Sequence, residues 1–168
     1  VETEFVAHIY DALMQTGQEH GLRHMGMFAL NACRIEKGFL HFGHDMGEED
    51  TPLELGLGWA VDLDKPHFLG RNRLVAQKAA GPATAHRTVA LHVPGLTAQD
   101  GPYLIHNEPI WKDGAIVGHV TSGDYGHRLE GVYGLCTVHR AEGVSKSWID
   151  AGGFDVQIAG TLYKAELS

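Results

Sequence analysis

Apolar residues recur at intervals of three and four positions over the first part of the chain. This spacing places them on one face of a helix, as Phe5, Ile9 and Leu13 would be. Gly38 follows the second such segment and favours the end of a helix there. The pattern predicts helices over three segments: residues 4–16, 23–37 and 71–80.

After residue 87 the pattern changes to alternation of apolar and polar positions, which is typical of half-buried strands. The Asp113-Gly114 pair separates two apolar stretches and predicts a tight hairpin turn. An earlier alternating stretch, residues 58–63, is also predicted as a strand. The later strands are predicted over four regions: residues 88–93, 110–117, 133–138 and 154–167.

The change of pattern predicts an α+β protein with two parts. Residues 79–85 are rich in alanine with one Gly-Pro step, which is typical of a linker. We therefore expect an α+β segment over residues 1–84 and a small antiparallel β-barrel over residues 86–168.

Composition and charge narrow the classes of function. The 168 residues are 43% hydrophobic and 20% charged, as in folded globular domains. The net charge is −8, from 13 basic and 21 acidic residues, and no basic stripe is present to neutralise phosphates. No apolar run approaches the roughly 18 to 20 residues that a membrane helix needs. Neither a nucleic acid nor a membrane is therefore expected as a partner.

The cysteines and the N-terminus give information about the cellular compartment and the processing of the chain. Cys33 and Cys136 stand far apart and form no paired motif, so a reducing cytoplasm is expected. Cys33 falls on the apolar stripe of the second predicted helix and is expected to be buried. Val1 opens no signal-peptide pattern and is not an initiator Met, which suggests a fragment or a processed form.

Twelve histidines raise the question of a metal site. His20 and His24 are four residues apart, and His41 and His44 are three apart. Neither pair has a third ligand at the spacing of known zinc motifs. We therefore predict no metal.

Several short motifs occur in a fixed order along most of the chain. Each is weak alone, but together they resemble the glycine-cleavage T-protein (aminomethyltransferase) family, in its C-terminal half. They are Arg34-Ile35-Glu36-Lys37-Gly38, Gly43-His44-Asp45, Thr51-Pro52-Leu53-Glu54 with Leu57-Gly58-Trp59, Phe68-Leu69-Gly70-Arg71, and Val117-Gly118-His119-Val120-Thr121-Ser122-Gly123.

One departure points to a branch of that family. Leu30 and Asn31 stand where glycine-cleavage proteins carry Ala-Arg-Asp, whose Arg helps to hold folate. This feature, with the Arg34 motif and the His-Asn-Glu-Pro-Ile run at residues 106–110, resembles the T-protein-like half of FAD-dependent dimethylglycine and sarcosine dehydrogenases.

The resemblance implies a tetrahydrofolate-dependent transfer of a one-carbon unit from an amine-derived donor. The family's catalytic carboxylate and its Gly-Tyr-x-Gly-Glu folate loop precede the first helix predicted here, so no catalytic residue is expected in this chain. The implied partner is the missing N-terminal half of the same domain. The implied cofactor is tetrahydrofolate, and FAD is possible in a preceding domain.

Four residues are candidates for the folate site. Trp59 offers a flat face for a pterin, although a Trp in a strand is more often part of the core. Arg34 can contact a ligand, but such residues more often form structural ion pairs. Phe42 and His44 lie in the turn after the second helix, where His44 could equally be an ordinary surface residue.

Two other functions remain open on the same fold. A non-catalytic binding or regulatory module would bind no folate even with its N-terminal half present. A folate-dependent demethylase would act on a sulfonium compound and not on an amine.

Overall fold

The computed structural model describes residues 1–99 and 101–168. The chain forms two compact units, Val1–Leu30 and Asn31–Ser168. None of the helices in the described part of the chain has the length and hydropathy needed to cross a membrane.

The first unit is helical. A 3₁₀ turn, Thr3–Phe5, leads into helix α1, Val6–Gly17, and a second 3₁₀ turn, Gln18–His20, follows. Within this unit the Tyr10 hydroxyl lies 2.6 Å from His24 Nε2. The helix predicted at residues 4–16 is confirmed with small shifts at its ends.

Helix α2 spans Met27–Glu36 and is shorter than the predicted 23–37. The first helical hydrogen bond runs from Leu30 N to Gly26 O, so the turn begins only at Gly26. Cys33 of α2 is exposed, and the prediction that it is buried is wrong. The two residues that α2 buries are Ala32 and Ile35, and Ala32 precedes Cys33 directly in the sequence.

Turns dominate residues 37–83, with one helix, α3, at Arg71–Ala79. The strand predicted at residues 58–63 is wrong, because Gly58–Ala60 form a 3₁₀ turn. Their hydrogen bonds are local, from Ala60 N to Leu57 O and from Val61 N to Gly58 O. Alternating residues form a strand only where another strand lies alongside to pair with them.

The β-strands of the chain form a closed antiparallel barrel, which confirms the α+β fold class. Their bounds are β1 Thr84–Val93, β2 Pro109–Lys112, β3 Ala115–Gly126, β4 Gly131–Val144, β5 Phe154–Ile158 and β6 Thr161–Leu167. Their order around the barrel is β1-β4-β3-β2-β5-β6, and β1 closes on β6 through the pairs Leu91–Leu167 and His92–Glu166.

The barrel core consists of inward-facing aliphatic residues and Phe154. Phe154, Val156 and Ile158 are at most 3% exposed, as their alternation in the sequence predicts. A short helix absent from the sequence predictions, α4 at Lys146–Asp150, follows β4 and is capped by Ser145, whose side chain accepts a hydrogen bond from Trp148 N. Ser at this position satisfies one of the free N–H groups of the first turn.

Two glycines of the motif at residues 117–123 allow close packing of strand β3. A Cβ added at Gly118 would lie 2.1 Å from Thr137 O, and one at Gly123 would lie 2.4 Å from the Leu104 Cβ. Any larger residue would collide with the neighbouring backbone or side chain. The strand segment that carries Thr121 and Ser122 is therefore packed closely against its neighbours at both ends.

Candidate functional site

Arg34 is the centre of a hydrogen-bond network between α2 and the barrel. Its Nη1 group binds the carboxylate of Asp45 and donates to Phe39 O at 3.2 Å. Its Nη2 group donates to Ser122 Oγ at 2.7 Å, and Nη2 and Nε both donate to Asn31 Oδ1. A guanidinium has five N–H donors, and these five bonds use all of them. Arg34 therefore acts as a structural organiser in this geometry, with no donor left for a ligand.

Asp45 is the buried acceptor of this network. Its side chain has no exposed surface and receives hydrogen bonds from Thr121 Oγ1 at 2.6 Å and from His41 N at 2.8 Å. Burial alone would raise the pKa of Asp45, but these hydrogen bonds and the Arg34 charge outweigh it and hold the pKa below its ordinary value. Asp45 is therefore an ionised group that pins the turn after α2 to strand β3.

Helix α2 is attached to the barrel at further points. Asn31 Nδ2 donates to Asp124 Oδ2 at 3.0 Å, and Glu36 Oε1 accepts from Arg128 N at 2.8 Å. With the Arg34 bond to Ser122, successive polar residues along α2 each bind the segment from residue 122 to residue 128. The part of α2 from Asn31 onward and the turn that follows it are consequently held in one orientation.

Phe42 and His44 project from this fixed turn. Phe42 is 59% exposed, and His44 is exposed as well. The His44 ring centroid lies 4.7 Å from that of His41 and 6.1 Å from that of His106. Across residues 1–99 and 101–168, no three His, Cys, Asp or Glu side chains are grouped so as to hold a metal ion.

Trp59 occupies a different part of the second unit. It is 85% exposed, so it does not belong to the core that the described residues form by themselves. It lines a cavity of about 480 Å³ together with Lys78 and Arg87, and the described lining includes none of the other three candidates. The geometry thus joins Arg34 to the turn bearing Phe42 and His44, and sets Trp59 in a separate cavity.

Asp45, Thr121, Ser122 and Asn31 were not among the site residues predicted from the sequence. Three of them do lie in sequence motifs: Asp45 in Gly43-His44-Asp45, and Thr121 and Ser122 in the run at residues 117–123. Asn31 lies in neither motif. Their partnership was not readable, because 76 positions separate Asp45 from Thr121. A motif identifies the positions but not which of them meet in the fold.

The buried Asp45 carboxylate makes stability depend on pH in a defined direction. A carboxylate whose pKa is lowered on folding stabilises the folded state above its unfolded pKa, and the benefit is lost as the pH falls through the folded pKa. The ordinary value is 3.8. We expect Asp45→Asn to be less stable than wild type near neutral pH, with a difference that shrinks as the pH is lowered from about 6 to about 3. Urea unfolding across that range measures it; a difference independent of pH would contradict the assignment.

Comparison with known proteins supplies the family. The model of the GCVT N-terminal domain matches residues 1–65, and that of the glycine cleavage T-protein C-terminal barrel domain matches residues 92–168. The crystal structure of glycine cleavage system aminomethyltransferase T from Bartonella henselae superposes with a TM-score of 0.67 at 22% identity, over 83% of this chain and 36% of that one. This likeness shows the fold.

Three relatives are similar over nearly all of the chain. 4-Methylaminobutanoate oxidase (formaldehyde-forming) from Paenarthrobacter nicotinovorans is 38% identical, over 98% of this chain and 19% of its own length. Human mitochondrial sarcosine dehydrogenase is 34% identical, over 94% of this chain and 17% of its own length. The mouse mitochondrial pyruvate dehydrogenase phosphatase regulatory subunit is 32% identical, over 99% of this chain and 20% of its own length.

The chain thus spans about a fifth of the length of these relatives. The two family models match in the order that the sequence motifs predicted, and between them they leave only residues 66–91 unmatched. The chain belongs to the glycine-cleavage T-protein family.

Proposed function

We propose that this chain forms the C-terminal part of a folate domain that transfers a one-carbon unit to tetrahydrofolate. The observation that carries the proposal is the match to both parts of the family, in order, over residues 1–65 and 92–168. Bound tetrahydrofolate would supply the nucleophilic nitrogen that accepts the carbon. The protein must hold the pterin and keep water from the reacting carbon.

The residues of this chain fit a supporting role in that reaction. Trp59 offers an exposed aromatic face. Phe42 and His44 stand on a turn that Asp45 and Arg34 hold rigidly, so they can form a fixed wall. We assign Trp59, Phe42 and His44 to that wall and Arg34 to its positioning, and we place the catalytic carboxylate in the N-terminal half of the domain.

The proposed donor is an N-methylated amine. The compounds in the names of two relatives, 4-methylaminobutanoate and sarcosine, are both amines of this kind. Oxidation of such an amine yields an activated methylene, and we propose that FAD in another part of the protein performs it. The division into residues 1–84 and 86–168 and the cytoplasmic location stay part of this proposal.

A regulatory module is the second candidate. One relative that covers 99% of this chain is named as the regulatory subunit of a phosphatase. Such a protein would keep the buried Arg34–Asp45 network, which maintains the fold, without needing to bind folate. The two functions therefore differ in ligand binding and not in architecture.

Titration calorimetry of the full-length protein with tetrahydrofolate separates these candidates. We expect saturable binding with one site per chain. Absence of binding by a folded protein would favour the regulatory module. Turnover with a sulfonium methyl donor and none with an N-methylated amine would replace the proposed donor class.

The chain of residues 1–168 by itself is predicted to be catalytically silent. In the family the carboxylate and the folate loop lie outside this chain, and an incomplete wall leaves the pterin in water. The measurement is formation of methylenetetrahydrofolate from dimethylglycine-derived donor and tetrahydrofolate, with heat-denatured chain as the control. Turnover above that control would show that the chemistry has been assigned to the wrong half.

A further inference from the structure

His106 is a histidine whose tautomer is set by the fold. Its Nδ1 atom lies 2.8 Å from the backbone oxygen of Thr121. A carbonyl oxygen can only accept a hydrogen bond, so Nδ1 carries a proton and donates it to this bond. In the neutral ring Nε2 is then a lone pair, and it points away from strand β3 because the two ring nitrogens point in nearly opposite directions. The ring is exposed, and Nε2 has no hydrogen-bond partner among the described residues.

The turn that carries His106 is fixed to strand β3. Asn107 N donates to Val120 O at 2.8 Å, and Val120 N donates to Glu108 O at 2.9 Å. Asn107 has a left-handed backbone, with φ of 70°, which is uncommon outside glycine and requires support from the surrounding contacts. Conformations of this kind cluster at functional sites. The fold therefore holds the His106 ring in one place with one nitrogen free.

His106 also lies beside the turn that bears His44. The two ring centroids are 6.1 Å apart, with the rings edge to face. Both turns share one anchor, since the buried Thr121 that accepts from His106 through its backbone oxygen donates its hydroxyl to Asp45 at 2.6 Å. Asp45 in turn holds the backbone of His41 in the turn of His44. A single threonine thus sets a free imidazole nitrogen next to a residue of the proposed wall.

The proposed transfer needs a group that moves protons. Both bonds between the carbon and the nitrogen of the oxidised amine break, and two bonds form from that carbon to nitrogens of tetrahydrofolate. Those two nitrogens lose one proton each, and the amine gains both and departs as an ammonium ion, so that atoms and charge balance without an oxidant. One group must therefore accept a proton from an attacking nitrogen and return it to the departing amine. Imidazole suits both steps near neutral pH.

We propose that His106 is the proton-transfer residue of this reaction. Nε2 accepts the proton from the attacking nitrogen and returns it to the departing amine, while the Thr121 carbonyl keeps the ring in the tautomer that this requires. The inference rests on the proposed function and deepens it. The carboxylate placed in the N-terminal half can orient the attacking nitrogen, but an ionised carboxylate has no proton to return to the amine.

Two variants of the full-length protein separate this role from a purely structural one. His106→Asn keeps an N–H donor for Thr121 O but has no basic nitrogen, and His106→Ala has neither. His67→Asn is the matched control, because His67 is also exposed and makes no hydrogen bond or ion pair with the described residues. Thermal unfolding of each variant checks that it remains folded.

We expect His106→Asn and His106→Ala to slow the enzyme-dependent formation of methylenetetrahydrofolate from an N-methylated amine equally, by about 100-fold, a typical contribution of acid–base catalysis. The loss should appear in kcat, with the KM for tetrahydrofolate within about twofold of wild type. Release of formaldehyde without tetrahydrofolate should not change, because that step precedes the transfer. His67→Asn should match wild type in all three measurements.

A second measurement is independent of activity. Neutron diffraction from deuterated crystals of the full-length protein, grown near neutral pH without folate, locates the protons on the ring. We expect deuterium on Nδ1 of His106 and none on Nε2. Deuterium on Nε2 would overturn the inference, because that nitrogen could then accept no proton.

The outcomes separate this inference from the function on which it rests. Normal transfer by wild type, with His106→Asn as fast as wild type and only His106→Ala impaired, would overturn the inference alone and leave His106 as a structural anchor of its turn. A loss confined to the KM for tetrahydrofolate would also overturn it. If folded wild-type protein forms no methylenetetrahydrofolate beyond the uncatalysed background, the proposed function fails and the inference fails with it.

Discussion

Replacement of Arg34 by alanine is expected to lower the free energy of unfolding by about 3 to 5 kcal/mol, the range for removing one partner of a buried ion pair. The Arg34 side chain is 14% exposed, and its partner Asp45 is fully enclosed. Loss of the guanidinium leaves a buried carboxylate without its counter-charge and leaves Ser122 Oγ and Phe39 O without a donor. Urea unfolding of the chain, followed by tryptophan fluorescence, measures the change.

Arg140→Ala is the matched control for this prediction. Arg140 also forms an ion pair, with Glu142 at 3.1 Å, but both side chains are substantially exposed, at 37% and 72%. Exposed pairs contribute at most about 1 kcal/mol. The double variant Arg34→Ala with Asp45→Ala should lower the free energy of unfolding by less than the sum of the two single changes, because no unpaired buried charge remains. A cost for Arg34→Ala as small as that of the control would refute the structural role of the network.

Trp59→Ala is expected to reduce folate affinity strongly while leaving stability almost unchanged. The ring is 85% exposed, so its removal should alter the free energy of unfolding of the chain by less than about 0.5 kcal/mol. If it stacks on the ligand in the full-length protein, affinity should fall by about 1 to 3 kcal/mol, or roughly 5- to 150-fold. Calorimetry with tetrahydrofolate measures the affinity, and thermal unfolding measures the stability.

Two further variants sharpen this comparison. Trp59→Phe keeps part of the aromatic face and should bind several-fold more weakly than wild type. Leu162→Ala removes another exposed apolar side chain, 55% exposed, that does not line the Trp59 cavity, and it should leave affinity unchanged. If folded Trp59→Ala bound folate as tightly as wild type, the folate wall would have to be sought at Phe42 and His44.

The fold was predictable from the sequence where periodicity and burial coincide. The alternation at Phe154, Val156 and Ile158 predicts a strand because those side chains do fill the barrel core. The segment at residues 58–63 alternates in the same way but has no neighbouring strand, so it forms local turns. Periodicity records which side of a segment is apolar, and it contains no information about hydrogen-bond partners.

The sequence indicated which positions belong to the site, but it did not indicate the role of each residue there. The motifs located Arg34, Phe42, His44 and Trp59, but the sequence left open whether Arg34 contacts a ligand or an internal acid. That answer depends on Asp45 and Ser122, which the fold brings to Arg34 from different elements.

The central claim is that the domain passes a one-carbon unit to tetrahydrofolate, and tracing the carbon tests it most directly. Full-length protein is incubated with an amine carrying a ¹³C-labelled N-methyl group, with and without tetrahydrofolate, and the products are followed by NMR. We predict that the label appears in methylenetetrahydrofolate when tetrahydrofolate is present and as free formaldehyde when it is absent. Release of the label as formaldehyde at the same rate in both cases, with no enzyme-dependent methylenetetrahydrofolate beyond that formed by mixing formaldehyde with tetrahydrofolate, would contradict it.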